Sequence, residues 1–187
     1  MFTLARLLPR ALPLLVVVAM MPAPVPAAAW ANVPSLNSES FSNSNGATVD
    51  TSTCTVFTGT FGFTVSGTAT GNYPGPFTET GTVTVSLTGS VTGFSASFTI
   101  NSSAGTVSGM KSWAAPAGTV GVCSDALAVD VHSTYSAVIT ISTGETFCDT
   151  GTALTNFNNP AQTSPFVESF SPNSAVANPI PTGGTCP

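Results

Sequence analysis

The chain has 187 residues, of which 42% are hydrophobic and only 6% are charged, with three basic residues against eight acidic ones and a formal net charge of −5. So few cations cannot neutralise a phosphate backbone, which excludes nucleic acid and anionic lipid surfaces as partners. The supply of Phe, Val and Ile excludes a disordered chain, so solubility has to come from hydroxyl side chains.

Arg6 and Arg10 precede an apolar run from Ala11 to Met21, and Val25-Pro26-Ala27-Ala28-Ala29 places small residues at a cleavage site. Residues 1–29 therefore read as a secretory signal peptide. The run is shorter than the about 20 residues of a membrane-spanning helix, so no transmembrane anchor is expected in the mature chain. Cleavage leaves Lys111 as the sole basic residue. The expected location is secreted and extracellular. The four cysteines, Cys54, Cys123, Cys148 and Cys186, then predict two disulfides in an oxidising compartment. Of the three connectivities, Cys123 with Cys148 and Cys54 with Cys186 is favoured, because the second would pin the tail. No Cys-x-x-Cys pair occurs and only His132 could join them, so no metal and no cofactor are expected.

Residues 30–48 are rich in Ser and Asn without a sustained period and read as an extended lead-in. Residues 49–157 form the predicted β domain. A strand enters at Val49 to Val56, and two long alternating runs follow, Phe57 to Thr70 and Phe77 to Gly89, joined by Gly71-Asn72-Tyr73-Pro74-Gly75-Pro76. Each run carries Phe, Val, Leu or Gly on its odd face and Thr and Ser on the other, the pattern of a half-buried strand. In Phe94 to Asn101 the apolar face moves to even numbers, which predicts a bulge or five-residue loop over Gly89 to Gly93. Thr106 to Trp113 puts Val107, Gly109, Lys111 and Trp113 on one face. A loop with a short strand at Val120 to Cys123 comes next, then alternation through Leu127, Val129 and Val131. The last hairpin pairs Tyr135 to Ile141 with Phe147 to Ala153. Residues 158–187 contain six prolines and read as an extended arm that packs little.

The fold class is all-β, an antiparallel barrel or barrel-like sandwich of about six to eight strands. The barrel is preferred because Gly59, Gly67, Gly81, Gly109 and Gly151 fall on the inward face, where a missing side chain lets a strand coil.

Phe77-Thr78-Glu79-Thr80-Gly81-Thr82-Val83 and Phe147-Cys148-Asp149-Thr150-Gly151-Thr152-Ala153 share the pattern Phe-x-acid-Thr-Gly-Thr-apolar. Glu79 and Asp149 have the parity of their apolar neighbours, and so does Lys111, so three charges of mixed sign point inward. Buried charge is costly unless paired. The functional reading is a polar cluster in a cavity, with Glu79, Lys111, Asp149, Tyr135 and Trp113 as candidate ligand-binding residues; the bland reading places the charges at strand ends that are already wet. His132 with Asp130 lies on the polar face and reads as a surface pair, and no Gly-x-Ser-x-Gly elbow occurs. Asn101-Ser102-Ser103 is a glycosylation sequon.

The stretch from Ser66 to Val85 resembles a signature of uncharacterised secreted bacterial β-proteins, a resemblance that implies no activity. More distantly, the order of long hairpins looks like allene oxide cyclase and dirigent barrels, but none of their site residues falls at a matching position. The functional expectation is a secreted binding or surface-associated module for a small-molecule, glycan or protein ligand, with no catalytic residue assigned. Its rivals are a small hydrolase or isomerase using Glu79, Asp149 and Lys111, and a structural or adhesion protein.

Overall fold

The computed structural model describes residues 32–50, 52–53, 59–88, 90–114, 130–157, 166–181 and 184–187. Residues 1–29, expected to be a signal peptide, the strand expected at 120–123, Cys54 and Cys123 lie outside the described residues. The alternating runs form strands, except that the run expected from Phe77 to Gly89 ends at Val85 and leaves Leu87 exposed in the turn that follows: β1 is Ser40–Asn43, β2 Thr48–Asp50, β3 Gly59–Thr70, β4 Gly75–Val85, β5 Val91–Ser102, β6 Gly105–Trp113, β7 Asp130–Ile141, β8 Thr146–Asn156, β9 Phe166–Pro172 and β10 Asn178–Pro179.

Neighbouring strands from β3 to β9 pair antiparallel in chain order, and β1 pairs with β9 on one side and β3 on the other. That double pairing closes an eight-stranded barrel of β1 and β3 to β9. The two short extra strands, β2 and β10, add to β3 and β8 from outside this ring. The apolar phase change between β4 and β5 is a bulge: Thr84 faces Gly93 and Val85 faces Val91, leaving Thr92 over.

Two segments expected to be extended and loosely packed are instead wall. β1 arises inside the lead-in, where Phe41 is flanked by serines, and β9 arises inside the arm, where Phe166, Glu168 and Phe170 alternate with Val167 and Ser169. Phe41 and Phe166 are fully buried. The prolines misled although one of them only closes the strand: Pro172 is the last residue of β9, an end position where proline is tolerated. The expected cysteine pairing is also corrected, since Cys186 bonds to Cys148 and not to Cys54. Cys148 lies on the outer face of β8, and β10 pairs beside it, so the tail is drawn along the wall. Ile180 N–H donates to Thr146 O at 3.0 Å in the same strap.

The interior is filled by aromatic rings. Phe41 stacks on Phe77 at 4.2 Å between centroids and meets Phe170 edge-on at 4.9 Å. A second group surrounds Phe157, with Phe63 at 4.6 Å and Phe166 at 5.6 Å. The inward glycines provide the room. Gly67 faces Phe77, Gly81 faces Phe63, Gly109 faces Phe98 and Gly151 faces Tyr135 across their ladders. In each pair the ring lies over the glycine, so a methyl at Gly109 would stand 2.4 Å from the Phe98 ring. A barrel this narrow accommodates large rings only where the neighbouring wall has no side chain. The outer face is a field of hydroxyls, with cross-strand pairs such as Thr60 and Thr84 at 3.0 Å.

Gly109→Ala is expected to lower stability by about 1–3 kcal/mol by displacing Phe98. Gly62→Ala is the control, because its added methyl would come no closer than 4.0 Å to another strand. Denaturant midpoints of the two variants check this; equal midpoints would remove the ring-over-glycine account.

Candidate functional site: a buried charge cluster

Lys111 enters the barrel from the C-terminal part of β6, between Ala96 on β5 and Tyr135 on β7. Its Nζ donates to Glu79 Oε2 at 2.6 Å and also contacts Glu168. Lys111, Glu79 and Glu168 are fully buried at the side chain. Their strands, β6, β4 and β9, are spread around the ring, so the contact spans the barrel's section. Three rings wall it: Phe98 at 4.8 Å, Phe170 at 5.2 Å and Phe41 at 5.4 Å from Nζ to centroid. Aromatic faces attract a cation, most strongly where water is excluded.

One cation between two carboxyls leaves an excess negative charge if both are ionised. Burial pushes the Glu168 carboxyl well above its usual range, and the charge of Glu79 pushes it further, while Lys111 opposes. Burial and the Glu79 charge thus favour the protonated form of the Glu168 carboxyl. A proton on one of the two carboxyls would balance the single cation, the state in which a dry interior tolerates such a group.

Asp149 is also buried and inward, but it belongs to a second group. Its Oδ2 accepts from Tyr135 Oη at 2.9 Å and from the Leu36 backbone N–H at 2.8 Å. Among the described residues it makes no ion pair with Lys111; the Phe170 ring lies against both Lys111 and Tyr135. The lead-in that Asp149 holds also closes the turn between β3 and β4. Glu39 Oε2 accepts from Tyr73 N–H at 3.0 Å, Tyr73 Oη donates to Pro34 O at 2.6 Å, and Asn72 Nδ2 donates to Ser35 O at 2.9 Å. Leu36 and Ser35 are fully buried. The lead-in is thus a plug over one mouth of the barrel, and Asp149 and Glu39 are its anchors.

Sequence parity placed Glu79, Lys111, Asp149 and Tyr135 inside, and all four are there. Across the first hairpin the register sets Val65 against Glu79. Trp113, at the end of β6, is 36% exposed and joins neither group. Asp130 Oδ1 accepts from Asn156 on the next strand, and His132 faces solvent. Glu168 and Glu39 were missed. The signal for Glu168 was present, since it shares parity with Phe166 and Phe170, but the proline-rich composition around it hid the alternation.

Among the described residues, clefts lie outside the wall at two places. The larger, about 780 Å³, runs between β5 to β8 and the tail, lined by Ser97, Thr99, Met110, Val138, Ile180 and Pro187 among others. The smaller, about 240 Å³, lies beside β2. No group of three His, Cys, Asp or Glu able to hold a metal occurs among the described residues, and no helix among them is long and apolar enough to cross a membrane.

Burial raises the Asp149 carboxyl above its ordinary 3.8 and the Glu39 carboxyl above 4.5, against the hydrogen bonds each accepts. A carboxyl raised in the folded state holds its proton there after the unfolded chain has released its own. Its contribution is complete below the unfolded value and is lost as pH climbs toward the folded one. The urea midpoint is expected to be higher near pH 4 than at pH 7, and Asp149→Asn, which keeps an acceptor for Leu36 and Tyr135, should flatten part of that slope. A midpoint that rises from pH 4 to 7, or a slope unchanged by Asp149→Asn, would contradict it.

No protein-family model, curated protein or solved structure matches the chain, so the roles of these side chains rest on their geometry alone.

Proposed function

We propose that the protein is an exported, surface-associated binding module that takes its ligand on the outside of the barrel, in the cleft beneath the disulfide-held tail. The observation that carries this reading is the contrast between the two faces of the wall. Inside, rings fill the volume and the chain's own groups occupy the charged side chains. Outside, the cleft has the size of a small-molecule site, about 780 Å³, within the usual range of about 300–1,000 Å³. Met110, Val138, Ile180 and Pro187 give it apolar surface; Ser97, Thr99, Ser108, Ser136, Thr146 and Thr185 supply hydroxyls. None of the lining residues is charged at its side chain. The matching ligand is an uncharged, largely apolar molecule with a few hydrogen-bonding groups.

An enzyme using Glu79 and Lys111 would have to bring substrate to atoms that solvent does not reach. The binding reading requires no such opening. Export is supported by the leading arginines, the apolar run, the small residues that follow and the Cys148–Cys186 disulfide.

Fluorescence titration with Nile red, a neutral apolar dye, is expected to saturate at one equivalent. Val138→Asp should weaken it by about tenfold or more, the effect of placing a charge in an apolar contact. Non-saturable uptake, or equal affinity in the variant, would reject the cleft as the binding site.

A further inference from the structure

The charge cluster has a chemical possibility beyond an ion pair. An amine and a carboxyl held together in a dry cage, with a second carboxyl on the amine, are the components of an amide condensation. We propose that Lys111 Nζ and Glu168 Cδ join in an intramolecular isopeptide bond, with Glu79 carrying the proton, so that β6 is covalently tied to β9 across the barrel.

Three observations support this assignment. Lys111 Nζ touches both carboxyls at once, which replaces an encounter between separate molecules by a fixed near-attack arrangement. All three side chains are sealed from solvent behind Phe41, Phe98 and Phe170, so no bulk water competes for the reacting carbon. The two carboxyls also differ in role. Burial and the Glu79 charge favour the neutral form of Glu168, the form whose hydroxyl can leave, and Glu79 accepts a hydrogen bond from Nζ at 2.6 Å.

The Lys111 ammonium passes one proton to the Glu79 carboxylate, and the freed lone pair attacks Glu168 Cδ. The tetrahedral intermediate loses a proton from nitrogen, and Glu79 relays a proton to the departing hydroxyl. The C–O bond breaks, the C–N bond stays, and one water leaves. Nothing is oxidised or reduced. Glu79 ends protonated beside the new amide, so the reaction removes a buried cation and a buried anion together, which relieves the desolvation both imposed.

The test is intact mass spectrometry of the purified full chain, fully reduced and denatured so that disulfides do not contribute. The expected mass is one water below that of the sequence, and proteolysis should yield a branched peptide joining Lys111 to Glu168. Glu79→Gln, which keeps size and shape but not the proton carrier, and Lys111→Arg should each show the full mass. Wild-type protein at full mass overturns the proposal whether or not the variants fold. A branch from Lys111 to Glu79 overturns the assignment of the partners, and water loss persisting in Glu79→Gln overturns the role of Glu79.

Discussion

The cation at the centre of the barrel sets the conditions that the rest of the fold meets. Lys111 is the only Lys or Arg after Arg10, and it is fully buried. A buried ammonium without partners would unfold a domain of this size, because its desolvation rivals the whole of a typical stability of about 5–15 kcal/mol. Glu79 comes from the long hairpin that forms locally, but Glu168 comes from a strand late in the chain. The cluster is completed only when β9 docks, so satisfying the cation and closing the barrel are one event.

Closure also depends on β1, four residues that pair on both edges. A strand that short has little stability of its own. Phe41 gives it an anchor by stacking on Phe77 and resting against Phe170, and its ring is also part of the cage around Lys111. The aromatic core and the ionic core are therefore the same structure seen from two residue types. The glycines opposite the rings make the arrangement possible: the wall is thin where the interior is thick.

The polar groups on the two sides of the wall have different work. Inside, carboxyls are spent on the chain itself: Asp149 and Glu39 hold the lead-in over the mouth, and Glu79 and Glu168 hold Lys111. Outside, hydroxyls cover the sheet and keep a nearly uncharged surface wet. A strap drawn back by Cys148–Cys186 converts part of that surface into a cleft. The fold thus separates a sealed interior that holds buried charges from an exterior covered by hydroxyls.

The alternation of Phe and Val with Thr determined the hairpins β3–β4 and β7–β8, the inward placement of Glu79, Lys111, Asp149 and Tyr135, and the phase change before Phe94, because side chains on a strand repeat every two residues whatever surrounds them. Parity, however, says only which face a side chain takes. Which charges meet depends on strand order and register around the ring, and these put Glu168 beside Lys111 and sent Asp149 to the lead-in. β1 and β9 are too short, and too closely bounded by Ser, Asn and Pro, to announce themselves; they become strands because two neighbours offer them hydrogen bonds on both edges and a pocket for Phe41, Phe166 and Phe170. The partner of Cys186 was likewise decided by the path of the tail along β8, a distance in space that spacing in the chain does not encode.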